Sequence, residues 1–143
     1  MAFAAETEVP VERTRAEIER TCMKYGCQQY TSGVDYEKLT ARVQFRSKNR
    51  IIRFDLLLPD PKKFHQTRKF EQANRTKWRA LLLVLKGKLE SVEAGIDTFE
   101  SAFMPYIVLP NDTTVGAAVL PLIDHAYTTG KMPSQLLIGD GQP

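Results

Sequence analysis

Between Leu39 and Leu58 the chain alternates apolar and polar residues with a period of two, the repeat of a strand with one buried face. Leu39, Ala41, Val43 and Phe45 alternate with Thr40, Arg42, Gln44 and Arg46. After Ser47-Lys48-Asn49-Arg50, the residues Ile52, Phe54, Leu56 and Leu58 alternate with Ile51, Arg53, Asp55 and Leu57. A two-residue turn at Lys48-Asn49, with Asn49 in the left-handed region, predicts a β-hairpin. Phe45 then faces Ile52, Val43 faces Phe54, Ala41 faces Leu56 and Leu39 faces Leu58, while Arg42 meets Asp55 on the other side. A slip of one residue puts every apolar side chain on the wrong face, so register is tightly restricted. A slip of two keeps the faces and leaves the turn type open.

The hairpin needs something to cover its apolar face, and the flanking sequence supplies helices. Pro10 to Tyr25 reads as a first helix, with Pro10 and Glu12 suited to its start and Gly26 to its end. Val11, Ile18, Cys22 and Tyr25 form its apolar stripe, and Cys27 to Thr31 reads as a short strand. Pro59-Asp60-Pro61 stops the second hairpin strand. A long helix is predicted from about Glu71 to Ala94, with Trp78, Leu81, Leu82, Leu85, Leu89 and Val92 on one side and Gly95 past its end. Asp97-Thr98-Phe99-Glu100 reads as a capping box opening a short helix that stops before Pro105. Ile107 to Pro110 reads as extended, and Asn111-Asp112 as a turn. A last helix after Thr114 carries Val115, Val119, Leu122, Ile123 and Tyr127, is bent by Pro121 and ends at Gly130. The expected fold is therefore α+β: an N-terminal helix, a small antiparallel sheet built on the hairpin, a long central helix packed on it, and two further C-terminal helices. The expected organisation is a flexible N-terminus over residues 1–9, one domain over 10–132 and a tail over 133–143, whose Leu136, Leu137 and Ile138 either pack back or meet a partner.

A length of 143 residues suits one domain with a modest core, and apolar and charged shares of 43% and 26% are ordinary for a globular protein. The longest apolar run, Ala80 to Leu85, is far short of a membrane span. No basic and apolar leader pattern opens the chain, so the expectation is a cytoplasmic protein of a bacterial host cell with no membrane partner. Cys22 and Cys27 stand in C-x4-C spacing, which fits neither a redox nor a zinc motif and reads as buried thiols. Asn74-Arg75-Thr76 and Asn111-Asp112-Thr113 match a glycosylation sequon that has no meaning without secretion.

The net charge of +3 conceals a strong asymmetry. Residues 1–37 carry −3, residues 80–143 carry −4, and residues 38–79 carry +10, with 13 cations against Asp55, Asp60 and Glu71. Arg42, Arg46, Lys48, Arg50 and Arg53 decorate the hairpin. Lys62, Lys63, Arg68, Lys69, Arg75, Lys77 and Arg79 line the following loop and helix start. Cations at a helix N-terminus oppose the macrodipole, a placement easier to understand beside an anion. Phe64, His65, Phe70 and Trp78 add candidates for stacking on a base, although Trp78 also matches the core stripe. Three readings compete: contact with nucleic acid, contact with an acidic protein surface, and solvated charge balanced by the acidic flanks. Arg42 opposite Asp55 already fits the third. The candidate nucleic-acid-binding residues are Arg42, Arg46, Arg50, Arg53, Lys62, Lys63, Arg68, Lys69, Arg75 and Lys77.

Catalytic patterns are thin. His65 and His125 stand sixty residues apart, and His125 after Asp124 is in no metal-ligand spacing. There is no G-x-S-x-G elbow, P-loop or dinucleotide fingerprint, and Gly139-Asp140-Gly141 reads as polar tail. Pro59-Asp60 and Asp35-x-Glu37-Lys38 are fragments of a metal-dependent nuclease pattern in the wrong spacing and order. The expectation is a protein without catalysis, cofactor or metal.

Two resemblances bear on function. The helix–strand–strand–strand–helix order resembles the double-stranded RNA-binding domain, whose second helix opens with basic residues. Arg75-x-Lys77-x-Arg79 is similar, but the preceding loop is long and the basic helix motif of that family is not met. The run from Trp78 to Glu90, continuing through Val92 to Ile96 and Thr98 to Glu100, resembles a family of short phage and prophage proteins. Ile107-Val108-Leu109-Pro110 with Thr114-Val115-Gly116, Gly130-Lys131-Met132-Pro133, and Val11-Glu12 with Arg15 to Glu19 extend that resemblance over most of the chain. It implies a phage context and no mechanism. The expected function is a non-catalytic nucleic-acid-binding accessory protein of phage type, on DNA or RNA. The alternative is a phage-encoded inhibitor that binds a host nucleic-acid-handling complex, of anti-defence type.

Overall fold

The computed structural model describes residues 4–137, so Ile138 and the Gly139-Asp140-Gly141 stretch lie outside the described residues. The chain is α+β, with α1 (Val11–Lys24), β1 (Gln29–Asp35), β2 (Thr40–Ser47), β3 (Arg50–Leu57), α2 (Thr67–Glu93), α3 (Phe99–Phe103) and α4 (Val115–Thr129) in chain order. The strands form one antiparallel sheet in the order β1-β2-β3. Phe45 pairs with Ile52, Val43 with Phe54, Ala41 with Leu56 and Arg42 with Asp55, the register that the alternation predicts. Leu39 and Leu58 close the far end, where the Leu58 amide donates to the Leu39 carbonyl at 2.9 Å. Lys48 and Asn49 both sit in the left-handed region, at φ 51° and 63°, so the link is a two-residue turn of type I′.

β1 is longer than the short strand expected from Cys27 to Thr31, because Tyr30, Ser32 and Val34 keep the inward phase opposite Phe45, Val43 and Ala41. α2 begins at Thr67 rather than Glu71, with the Gln66 carbonyl accepting from the Lys69 and Phe70 amides. The N-cap of α3 is Thr98, whose hydroxyl accepts from the Ser101 amide, while Asp97 accepts from the Ser91 hydroxyl at 2.6 Å. Residues 4–9, read as a flexible lead, run against α2: Ala4 is buried and the Gln72 amide donates to the Ala5 and Thr7 carbonyls.

One face of the sheet carries the core. Ala41, Val43, Phe45, Ile52 and Phe54 pack on Trp78, Leu81, Leu82, Leu85 and Leu89 of α2 and on Ile18 and Cys22 of α1. Phe103 closes one end, edge-on to Phe45 and Phe54 at 5.9 and 6.4 Å. Tyr25 of the expected α1 stripe turns out to be exposed, since it follows the last helical turn. Burial raises the Cys22 thiol to about 12, and Cys27 is half-buried and also raised. Neither forms a disulfide.

α4 stands apart from this core. Thr114 caps it and Gly130 ends it at φ 72°, but none of its residues is buried. Val115, Val119, Leu122 and Ala126 are half-buried on one side, while Leu120, Ile123 and Tyr127 are exposed on another. It is positioned through the turn at Met104–Tyr106, where a Cβ on Gly116 would stand 3.0 Å from the Pro105 carbonyl oxygen.

The hairpin turn gives a direct test of the register. A lysine at φ 51° is strained in a way asparagine is not, and glycine suits the second position. Lys48→Asn combined with Asn49→Gly is expected to raise stability by about 1 kcal/mol and the melting temperature by roughly 2–4 °C. Thermal denaturation followed by circular dichroism reads this out.

Candidate nucleic-acid interface

The register that builds the core also sorts the cations. The outer face of the sheet carries Arg42, Gln44 and Arg46 from β2 opposite Asp55, Arg53 and Ile51 from β3. Arg42 Nε lies 2.8 Å from Asp55. Arg53 is the exceptional group on this face, with a side chain only 8% exposed. Its Nε donates to Gln44 Oε1 at 3.1 Å, and its two terminal nitrogens donate to the Asp112 carbonyl at 2.9 Å and carboxylate at 2.5 Å. The guanidinium thus holds the turn after Leu109 over the outer face. That turn is also fixed at the β3 edge, where the Val108 amide donates to the Ile51 carbonyl at 2.8 Å.

At the hairpin tip, Arg50 Nε donates to Glu100 at 3.0 Å and Lys48 stands over the Phe99 ring. On the opposite side of α2, Glu17 of α1 accepts from Arg79 at 3.2 Å and Lys86 at 3.4 Å. Glu17, Glu100 and Asp112 all come from the acidic flanks. The balancing of charge that the third reading anticipates is therefore real, and it falls on Arg50, Arg53 and Arg79.

Five of the other cations, Lys62, Lys63, Arg68, Lys69 and Lys77, follow the far end of β3. Asp60 caps a 3-10 turn over Pro61–Lys63 by accepting from the Lys62 amide at 2.9 Å. Its carboxylate therefore caps a turn, as does Asp35, which accepts from the Glu37 and Lys38 amides. Lys62 and Lys63 lie on that turn, and Arg68 and Lys69 lie in the first turns of α2 because the helix opens four residues earlier than expected. Lys62, Lys63, Arg68, Lys69 and Lys77 are exposed, and among the described residues none of them has a carboxylate within ion-pair distance. The first turn of α2 has no acidic residue and no side-chain cap.

Lys69 and Lys77 flank a groove of about 690 Å³ lined by Ala5, Leu57, Leu58, Pro59, Phe64, Ala73 and Ala80, with Gln72 and Thr76 along α2. Leu57 is 76% exposed at its lip. Phe64 packs edge-on to Phe70 with ring centres 5.9 Å apart.

The cations of the hairpin tip do not converge with those that follow β3. β3 is eight residues long, which places Arg50 and Leu57 about 23 Å apart at its two ends. Arg42, Arg46, Arg50 and Arg53 belong to the outer face and tip, and three of them are already paired. Arg75 belongs to neither group. It donates to Gln72 at 2.5 Å and faces the cleft between α1 and α2 beside Glu12 and Glu71. Trp78 is only 1% exposed and serves the core, under the Arg15 guanidinium. The groove itself escaped sequence reasoning, although Leu57 is apolar at a position whose phase points outward.

Comparison with protein-family models, with curated proteins and with solved structures finds no match to this chain.

Two substitutions test the paired half of this picture. Arg53→Ala removes three hydrogen bonds and a buried side chain, and is expected to cost about 2 kcal/mol and to speed hydrogen exchange at the Val108 amide. Burial pushes the Glu17 carboxyl up, but hydrogen bonds and charge from Arg79 and Lys86 outweigh it and hold the group below the ordinary glutamate value of 4.5. A lowered acid pKa gives stability that is complete above pH 4.5 and is lost as pH falls through the lower folded value. Glu17→Gln should therefore lower stability at pH 7 and weaken the dependence on pH below 4.5, as read by urea titrations across pH.

Proposed function

We propose that this chain is a non-catalytic nucleic-acid-binding accessory protein of phage type, and that it grips the phosphate backbone at the junction of β3 and α2. The observation that carries this reading is the contrast between three paired arginines of the hairpin and the cations that follow β3. Arg42, Arg50 and Arg53 each have a carboxylate partner, whereas Lys62, Lys63, Arg68, Lys69 and Lys77 are exposed without one among the described residues. Such a cluster is costly through mutual repulsion; a polyanion relieves that repulsion, and the cluster in turn releases the counterions condensed on the polyanion. The uncapped start of α2 supports the same reading, because cations there oppose the helix dipole and an anion offsets both. The order α1-β1-β2-β3-α2 also accords with the resemblance to the double-stranded RNA-binding domain, and Arg68 and Lys69 open the second helix more closely than Arg75 and Lys77 do. No base-reading arrangement is part of the proposal: phosphate contacts position a protein without specifying sequence.

About five phosphate contacts predict that log affinity falls with log salt at a slope of about −4.5 on duplex or −3.5 on a single strand. Lys63→Glu combined with Lys69→Glu is expected to weaken binding at least tenfold and flatten that slope. Arg50→Gln, at the other end of β3, should leave both unchanged. Fluorescence anisotropy at several salt concentrations measures this, and no binding at low salt by a folded sample would refute the proposal.

The second reading, an inhibitor that binds a host nucleic-acid-handling complex, draws on a different feature. Leu120, Ile123 and Tyr127 line one side of α4, and Tyr127 is 88% exposed. An apolar side of this kind suits a protein partner, and Asp124 and His125 are the only ionisable side chains between Val115 and Tyr127 in that helix besides Tyr127 itself. Capture of a nucleic-acid-handling complex from nuclease-treated lysate, lost in Leu120→Asp combined with Tyr127→Asp, would favour it.

A further inference from the structure

The groove between Leu57 and α2 adds something that a phosphate-binding surface does not need. Phosphates and sugars require cations and hydrogen-bond donors, and Lys69 and Lys77 supply them along the groove, with Lys62 and Lys63 on the turn between Pro59 and Phe64. The interior is different: Leu57, Leu58, Pro59, Phe64, Ala73 and Ala80 present an open, shallow apolar groove. An intact duplex keeps its bases stacked and paired, and shows this surface only its charged exterior. Docked there, it would leave the groove wet and Leu57 exposed. A single strand offers unpaired bases, each with an apolar face that stacks on an aromatic ring.

We infer that the groove receives an unstacked nucleobase against Phe64, with the flanking phosphates on Lys62, Lys63, Lys69 and Lys77, and that the chain therefore prefers single-stranded nucleic acid to duplex. This rests on the nucleic-acid reading above and makes it narrower. The charge pattern selects the occupant. A neutral apolar ligand would have no use for Lys69 and Lys77 beside the groove, and a bare anion would have no use for its apolar lining. A base on a phosphate chain matches both. The preference runs against the resemblance to the double-stranded RNA-binding domain, and so decides whether that resemblance extends beyond the order of elements.

The test compares a labelled oligothymidylate, an oligouridylate, a duplex of equal length and an abasic strand of equal length, by anisotropy at one salt concentration. The single strands should bind roughly tenfold or more tightly than the abasic strand and the duplex. Phe64→Ala should remove most of that preference and leave the salt slope intact. Because Phe64 also packs on Phe70, the exposed Leu57 is the second site, and the uncharged Leu57→Ser should have the same effect in a protein with unchanged melting temperature. Equal binding of all four probes, with both variants silent, would overturn the base-binding groove while leaving the phosphate reading in place. Failure of all four to bind would overturn the reading beneath it. Binding of an acidic apolar peptide in the groove, with no oligonucleotide binding, would overturn both in favour of a protein partner.

Discussion

The pairing of β2 with β3 is the constraint from which the other features of this structure follow. With Phe45 opposite Ile52 and Val43 opposite Phe54, five apolar side chains fall on one face and the charged ones on the other. The first face has to be covered, and α1 and α2 cover it. The second face receives Arg42 and Arg53, which are held by Asp55 and by Asp112. A one-residue slip would move Arg53 into the core and Phe54 into water, so the Asp112 clamp and the Trp78 stripe depend on the same register.

That register also explains why a segment with a charge of +10 does not behave as one patch. A strand is stiff and extended, and it carries the tip and the proline loop to opposite ends of the sheet. The acidic flanks then fold back onto particular cations. Glu100 reaches Arg50 because α3 packs beside the hairpin tip, and Asp112 reaches Arg53 because the turn before α4 crosses the outer face. Nothing of that kind reaches Lys62, Lys63, Arg68, Lys69 or Lys77 among the described residues, and Lys69 and Lys77 border an apolar groove.

The parts of the fold legible in the sequence were those governed by local period and local chemistry. The hairpin pairs, the stripe from Trp78 to Leu89, Gly26 and Gly95 in left-handed conformations and the Thr114 cap all follow from spacing within a few residues. What was not legible depended on contacts distant in the chain. Gln72 holding Ala5 and Thr7, and Asp112 closing on Arg53, leave no trace in any short window. The site suffered for the same reason: adding charge along the chain treats Arg53 and Lys63 alike, though one is buried and paired and the other exposed. The length of α2 was missed by a smaller margin. Without Ser, Thr, Asp or Asn at the cap, and with a cationic first turn, its start at Thr67 has none of the usual signals.

The central claim is that the cations at the start of α2 are available to a polyanion, while Arg42, Arg50 and Arg53 are engaged within the fold. Nuclear magnetic resonance of the isotope-labelled protein during titration with a short oligonucleotide tests it residue by residue. The account predicts saturable shift changes at Leu57 to Lys63 and along Arg68 to Lys77, with Lys48 to Arg50, Arg53 and Asp112 undisturbed. Changes centred on the hairpin tip and the outer face, with the start of α2 silent, would contradict it.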